Sequence, residues 1–198
     1  VTSAAAAEAE ASRLGFPVAM KLHGQEVAHK SEVGGVLLGV ADPAQVRAGF
    51  EELRERGRRA GLEEAAVLVE RQMGAGVELI VGGQNDPRFG PVLMVGAGGI
   101  LTEVLQDAAH RLAPVDREEA LEMLAELRTG ALLDGYRGAP GIDRESVADV
   151  VVAVGDLLTE LPRVRELDLN PILPGPGGRG CVAVDALVVL ADGDEEGR

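Results

Sequence analysis

The short loops between successive strand patterns constrain this fold more than any other feature of the sequence. Strand-like runs at 78–82 and 91–95 are too close for a crossover helix, and the same holds for the runs at 166–171 and 183–186. Parallel neighbours need a crossover of about a dozen residues or more, so these strands are expected to pair antiparallel. The sequence therefore predicts an α+β protein with mixed or antiparallel sheets rather than a doubly wound sheet.

The break after the strand at 66–70 is the best candidate for a hinge between two lobes. We expect a small lobe at 1–72 that lacks some of its N-terminal part, a large lobe at 73–191, and a solvated acidic tail at 192–198. Capping and stop signals predict helices at 3–14, from Asp42 onward, at 96–106, from Asp116 to Gly130, and at 143–161.

Composition excludes several classes of protein. The single cysteine, Cys181, leaves no internal disulfide and no multi-cysteine metal site, which favours a reducing, cytoplasmic setting. No apolar run approaches the roughly 20 residues that cross a bilayer. The net charge of -14 argues against nucleic acid and anionic membranes as partners. A nucleotide site in this chain must therefore supply its own cations, from Lys or Arg and a divalent metal.

Lys21 is a charged residue inside the apolar strand 18–22. Burying a charge there is costly unless the strand faces a polar cleft or a bound anion. The alternative is an edge strand whose lysine extends to water.

The segment from His29 to Gly35 is a glycine-containing loop between two strands, and it includes Ser31 and Gly34. Its backbone amides could cradle phosphates, and an exposed imidazole at His29 could accept a phosphoryl group as a nucleophile. A solvated loop with an incidental histidine is the alternative.

The C-terminal strands suggest a cation site. A hairpin turning at Gly177-Gly178 places Asn170 opposite Asp185, with Cβ atoms about 5 Å apart. A carboxylate and an amide oxygen at that spacing can share a hard divalent cation, with nucleotide phosphates completing the coordination shell. A hairpin with a merely hydrated polar face is equally consistent with the pattern.

Two further features are weaker by themselves. The run Gly96-Ala97-Gly98-Gly99 between a strand and a helix is common as a tight turn. Glu70 and Glu78, on either side of the hinge, could bind a ribose or an adenine, or be surface acids.

Taken together, these motifs resemble the ATP-grasp domain of ADP-forming acyl-CoA synthetases of the acetyl-CoA type, relatives of succinyl-CoA synthetase. The matches come in family order and span nearly the whole chain. They lie at 15–21, 29–36, 86–94, 96–100, 111–114, 166–171 and 183–186. The loop at 22–28 departs from the Ser/Pro/Asp-containing stretch that is usual in the family.

The resemblance implies a fold of two lobes with a nucleotide cleft between them, and a reversible reaction in which acyl-CoA, ADP and phosphate give acid, CoA and ATP. It also implies roles for individual residues. His29 would relay the phosphoryl group to ADP, Lys21 would contact the nucleotide phosphates, and Glu78 would lie near the ribose. The adenine hinge would consist of Glu70, Arg71, Gln72 and Met73, and the magnesium ligands would be Asn170 and Asp185.

The implied partners are CoA-binding and ligase domains, in the same polypeptide or on another subunit; an oligomer is possible. The chain alone is therefore expected to bind nucleotide without turning over acyl-CoA. Two other functions remain open at this stage: a catalytically silent, metabolite-sensing domain fused to a lysine acetyltransferase, and a purely structural interaction domain.

Overall fold

The computed structural model describes residues 1–23, 34–62, 65–74, 76–99 and 106–191. The chain forms two compact units, Val1–Gly74 and Ala75–Arg198, and the predicted boundary after residue 72 lies close to this division. The acidic tail and the loop containing His29 and Ser31 lie outside the described residues.

The first unit is a three-stranded antiparallel sheet with two helices. Its elements are α1 (Ala4–Leu14), β1 (Val18–His23), β2 (Val36–Val40), α2 (Pro43–Arg59) and β3 (Ala66–Arg71). The strand order is β2-β1-β3, so β1 is central. Ser3 and Asp42 cap the two helices by accepting hydrogen bonds from backbone amides three residues ahead.

The core of the first unit lies on the helix-covered face of this sheet. Alternation along β1 directs Val18, Met20 and Leu22 into it, where they meet Val46 and Leu53 of α2, and all five are fully buried. Ala19 and Lys21 therefore point to the opposite face.

The second unit contains six strands and three helices in its described part. They are β4 (Leu79–Asp86), β5 (Gly90–Ala97), β6 (Ala108–Leu112), α3 (Arg117–Glu126), α4 (Gly130–Leu133), α5 (Arg144–Glu160), β7 (Val164–Pro174), β8 (Cys181–Ala183) and β9 (Ala186–Leu190). The strand order is β6-β5-β4-β7-β8, and β9 also pairs with β7. All pairings are antiparallel, which confirms the predicted sheet type.

One face of this sheet carries the second core. Helices α3 and α5 supply buried side chains such as Met123, Leu124 and Val151, which pack against Leu79 and Leu93 of the sheet. The capping box predicted at Asp116 and Glu119 is present at the start of α3. The opposite face of the sheet carries both polar and apolar side chains, among them Gln84, Asp168 and Met94.

The structure corrects three local predictions. The strand predicted at 78–82 is longer than expected, because β4 continues through Asp86. Gly130 starts the short helix α4, whereas α3 already ends at Glu126. Strand β6 was missed altogether, and most of the helix predicted at 96–106 lies outside the described residues. None of the described helices is long and apolar enough to span a bilayer.

Candidate functional site

Lys21 is buried in the central strand of the first unit and is paired with an acid. Its Nζ lies 2.7 Å from Oε2 of Glu70 on the neighbouring strand β3. The edge-strand interpretation is therefore wrong: β1 has a partner on each side, and the lysine side chain is only 8% exposed. Lys21 thus lies, next to an acid, on the face of the sheet opposite the core, where a lysine could contact an anion.

The described end of the glycine loop is anchored to the first unit. Gly34 has φ +63°, a conformation that favours glycine, and its carbonyl accepts a hydrogen bond from Arg56 of α2. The carbonyl of Gly35 accepts a hydrogen bond from the Leu22 amide at 2.8 Å. This end of the loop is thus fixed next to the strand that carries Lys21.

The predicted hinge residues use their side chains to brace the first unit. Arg71 donates to the carbonyl of Leu14 at 3.2 Å, and the Gln72 side-chain oxygen accepts from the amide of Gly39. Met73 is 40% exposed and apolar. The side chains of Arg71 and Gln72 are thus engaged within the unit, whereas the apolar side chain of Met73 is exposed.

Glu78 lies at the start of the second unit, beside the glycine turn. The Gly98 amide donates to the Glu78 carbonyl at 2.7 Å, and a Cβ added at Gly98 would lie 2.8 Å from the backbone carbonyl carbon of Glu78. Glycine is thus required for this close approach. Glu78 and the turn line a cavity of about 510 Å³ that also includes Tyr136.

The C-terminal strands form the predicted hairpin. Ile172 pairs with Ala183 and Leu169 with Ala186, which places Asn170 opposite Asp185. The Asn170 amide donates to the Asp185 carbonyl at 3.1 Å. The predicted pairing of these two residues is therefore confirmed, and their oxygen atoms form a donor set suited to a hard divalent cation.

Acidic groups are concentrated around this pair. Asp168 is partly buried one strand repeat before Asn170; burial, with the nearby charges of Glu166 and Asp185, raises the pKa of its carboxyl group, although a hydrogen bond from Asn170 opposes the rise. Within the described part of the chain, no group of three or more His, Cys, Asp or Glu side chains is arranged to hold a metal. A cation here would thus need oxygens from its ligand as well.

Two residues of this face were not among the candidates predicted from the sequence. Asp168 and His110 line a cavity of about 330 Å³ together with Gln84, Met94 and Asn170. The alternation Glu166-Leu167-Asp168-Leu169-Asn170 already carried the signal for Asp168, because residues two apart share a strand face. His110 gave no such signal because β6 was not predicted.

Asp143 holds the loop between β7 and β8 through hydrogen bonds. Its carboxylate accepts hydrogen bonds from the Ser146 amide at 3.2 Å and the Gly180 amide at 2.7 Å. Its own amide donates to the carbonyl of Gly175 at 2.8 Å. Both ends of the loop that precedes β8 are therefore fastened to the first turn of α5.

The candidate residues fall into two groups, each within one unit. Lys21, Gly34, Gly35 and the hinge belong to the first unit, and Glu78, Asn170 and Asp185 belong to the second. His29 and Ser31 lie outside the described residues.

Comparison with known proteins agrees with these features. An ATP-grasp domain model matches residues 1–190. The beta subunit of acetate–CoA ligase [ADP-forming] I of Pyrococcus furiosus is 37% identical over 179 residues, covering 89% of this chain and 76% of that subunit. Acetate–CoA ligase [ADP-forming] I of Archaeoglobus fulgidus is 42% identical over 183 residues, covering 92% of this chain but only 26% of that protein.

Solved structures show the same relationship. The dinucleotide forming acetyl-coenzyme A synthetase 1 of Ca. Korarchaeum cryptofilum, in complex with coenzyme A, Ca-AMPCP and HgCl+, has a TM-score of 0.89 and 34% identity, covering 96% of this chain and 83% of that one. In another structure of that synthetase, with coenzyme A and Mg-AMPPCP, the phosphohistidine segment points towards the nucleotide binding site; the TM-score is 0.80 at 34% identity, covering 93% of this chain and 81% of that one.

The family model matches nearly the whole chain, the relatives are named ADP-forming CoA ligases, and the solved structures share the fold. This chain therefore belongs to the ATP-grasp family, as a domain homologous to the beta subunits of ADP-forming acetyl-CoA synthetases.

Proposed function

We propose that this chain is the nucleotide-binding, phosphoryl-transfer domain of an ADP-forming acyl-CoA synthetase. The two units would be the small and large lobes of the ATP-grasp fold. The observation that carries the proposal is the occurrence, in family order, of a buried, acid-paired lysine and of a hairpin that pairs Asn170 with Asp185.

In this proposal Lys21 contacts the nucleotide phosphates, and Ser31, Gly34 and Gly35 line the phosphate loop. Asn170 and Asp185 would hold Mg²⁺ together with phosphate oxygens, because their oxygen donors suit that ion. The bound cation would neutralise charge that develops on the phosphates during transfer. Local cations would thus offset the net charge of -14 that otherwise repels a nucleotide.

His29 would receive the phosphoryl group and pass it to ADP. The CoA-binding and ligase domains would form the acyl phosphate and supply the first phosphohistidine, as separate subunits or in one polypeptide. The size of the single-chain relatives supports this arrangement, because this chain matches only about a quarter of their length. The sensor alternative, a silent domain fused to an acetyltransferase, finds no support among the relatives described above.

Nucleotide binding by this chain is the direct test. Calorimetry with Mg-ADP should show binding that weakens roughly tenfold or more in Lys21→Met and in Asp185→Asn, because each change removes a charged contact. Asp156→Asn, an exposed carboxylate on α5, is the matched control and should bind like the wild type. Absence of Mg-ADP binding at millimolar nucleotide would favour a structural interaction domain instead.

The histidine relay needs the complete enzyme. With the partner domains present, His29→Ala should abolish ATP formation from acyl-CoA, ADP and phosphate while Mg-ADP still binds. Unchanged turnover in this variant would remove His29 from the proposed relay.

A further inference from the structure

The proposed phosphate loop ends with two consecutive glycines, Gly34 and Gly35. Glycine loses more conformational freedom on folding than any other residue, and Gly34 also adopts a φ of +63°. A fixed geometry at this point therefore needs a contact from outside the loop. The structure provides one, because Arg56 of α2 donates a hydrogen bond to the Gly34 carbonyl.

This hydrogen bond sets the direction of the next amide. The carbonyl of Gly34 and the amide of Gly35 belong to one trans peptide unit, in which the C=O and N–H bonds point in opposite directions. Holding the carbonyl on Arg56 therefore turns the Gly35 amide away from α2. The Gly35 carbonyl accepts from the Leu22 amide, so Gly35 lies beside the strand that carries Lys21.

The Gly35 amide has no acceptor among the residues that the structure describes. Gly35 is buried, and the Leu22 amide donates to its carbonyl without a hydrogen bond in return. A buried amide without an acceptor costs free energy, and a bound anion can satisfy it. The Gly35 amide is thus placed to donate to a phosphate oxygen.

The guanidinium group of Arg56 is engaged at both of its ends. One Nη atom donates to the Gly34 carbonyl, and the other pairs with Glu52 one turn earlier on α2. A Cβ added at Gly34 would lie 3.0 Å from Arg56 Nη1, so a larger residue there would crowd the guanidinium group. The contact therefore depends on the glycine and the arginine together.

We propose that Arg56 is a positioning residue, which fixes the Gly34 carbonyl so that the Gly35 amide faces an anionic ligand. The inference rests on the proposed function, in which that ligand is the polyphosphate of a nucleotide. Arg56 acts through the loop and does not itself contact the nucleotide.

A change at Arg56 also removes a positive charge, which by itself weakens the attraction of an anion. Arg59 provides a matched control, because it lies three residues further along α2 and pairs with Glu55 at 3.0 Å, four residues before it. Arg59→Met removes the same charge and a similar ion pair of the helix, but no contact with the loop. The difference between the two variants therefore measures the contact with Gly34.

Calorimetry with Mg-ADP and NMR spectra of the isotope-labelled chain test the inference. Arg56→Met should bind Mg-ADP roughly fivefold or more weakly than Arg59→Met, since a hydrogen bond from a charged donor contributes at least that factor. In the ligand-free chain, the Gly35 amide resonance should shift in Arg56→Met and stay in place in Arg59→Met. Unchanged amide resonances of β1 and β3 confirm that each variant is folded.

Two results would overturn the inference. Equal Mg-ADP affinities of Arg56→Met and Arg59→Met would show that only the charge of the helix matters. An unshifted Gly35 amide resonance in ligand-free Arg56→Met would show that the arginine does not set the direction of this amide. The proposed function fails in a different way, since the wild-type chain itself would then bind no Mg-ADP.

Discussion

At the scale of single residues, Asp107 is a buried acid whose carboxylate accepts several hydrogen bonds. It is 6% exposed, and its carboxylate accepts hydrogen bonds from the amides of Arg128 and Thr129 and from the Thr129 hydroxyl, each at 2.8 Å. One carboxylate thus fastens the segment between α3 and α4 to the start of β6. That segment includes Thr129, which lines the cavity next to Glu78.

Asp107→Asn should destabilise the protein by about 2 kcal/mol. The side-chain NH2 of asparagine would face the N–H and O–H donors of Arg128 and Thr129, so buried donors would lose their acceptor. Urea unfolding at pH 7 measures the change. The exposed Asp156→Asn serves again as the control, and a loss as small as the control's would show that these hydrogen bonds contribute little.

The same carboxylate predicts a pH dependence. Burial raises the pKa of Asp107, but the hydrogen bonds from Arg128 and Thr129 outweigh it, so the pKa lies below its ordinary value. A lowered folded-state pKa contributes stability that is present above the unfolded pKa, roughly 4, and is lost as the pH falls through the folded pKa. The free-energy difference between wild type and Asp107→Asn should therefore shrink as the pH falls below roughly 4.

At the scale of elements, glycines on β4 let its neighbours approach closely. A Cβ added at Gly82 would lie 2.7 Å from the carbonyl oxygen of Leu167 on β7. Strand β7 carries both Asp168 and Asn170, so the spacing of these two strands helps to set the position of the acidic face.

Gly82→Ala should destabilise the protein by about 1–3 kcal/mol, since a backbone atom has to move, and should weaken Mg-ADP binding by displacing β7. Gly177→Ala is the control, because an added Cβ there meets no atom within 4 Å. Unfolding free energies and calorimetric affinities measure both effects. Equal behaviour of the two variants would show that β4 and β7 adjust without cost.

Most elements could be predicted from local patterns, and the exceptions have physical reasons. Helices α1 and α5 carry side-chain caps and end at clear stop signals, so their bounds were nearly correct, and α2 begins at the predicted cap, Asp42. Strand β6 is short and reads Ala-Ala-His-Arg-Leu, with little β-propensity of its own, and forms by pairing with β5. Gly130 looked like a helix end because local sequence does not show that Asp107 holds the preceding turn.

The candidate site was predictable where it depended on strand register. The pairing of Asn170 with Asp185 follows from counting outward from the hairpin turn. The pairing of Lys21 with Glu70 was not predictable, because it depends on which strand lies beside β1, and Glu70 is 49 positions further along the chain. Long-range pairing of this kind is decided by tertiary packing.

At the scale of the whole molecule, the two units have separate hydrophobic cores. The first is centred on fully buried residues such as Leu53, and the second on residues such as Leu93. Each core is built almost entirely from aliphatic side chains and alanine, as the aromatic content of 2% requires.

Leu53→Ala and Leu93→Ala should each cost about 2–5 kcal/mol, because each leaves a cavity in a closed core. Native-state hydrogen exchange should show the loss of protection mainly in the unit that carries the change: β1 and β3 for Leu53→Ala, β4 and β7 for Leu93→Ala. Uniform loss across both units would show instead that the chain unfolds as one cooperative body.

The double attachment of Asp143 has a consequence for how motion spreads through the second unit. The carboxylate of Asp143 accepts hydrogen bonds from both the Ser146 amide and the Gly180 amide. Fraying at the start of α5 and loosening of the loop before β8 therefore depend on the same side chain. A movement of the Asp143 side chain that breaks one of these hydrogen bonds also weakens the other. The strands bearing Asn170 and Asp185 thereby inherit part of their rigidity from a helix behind the sheet.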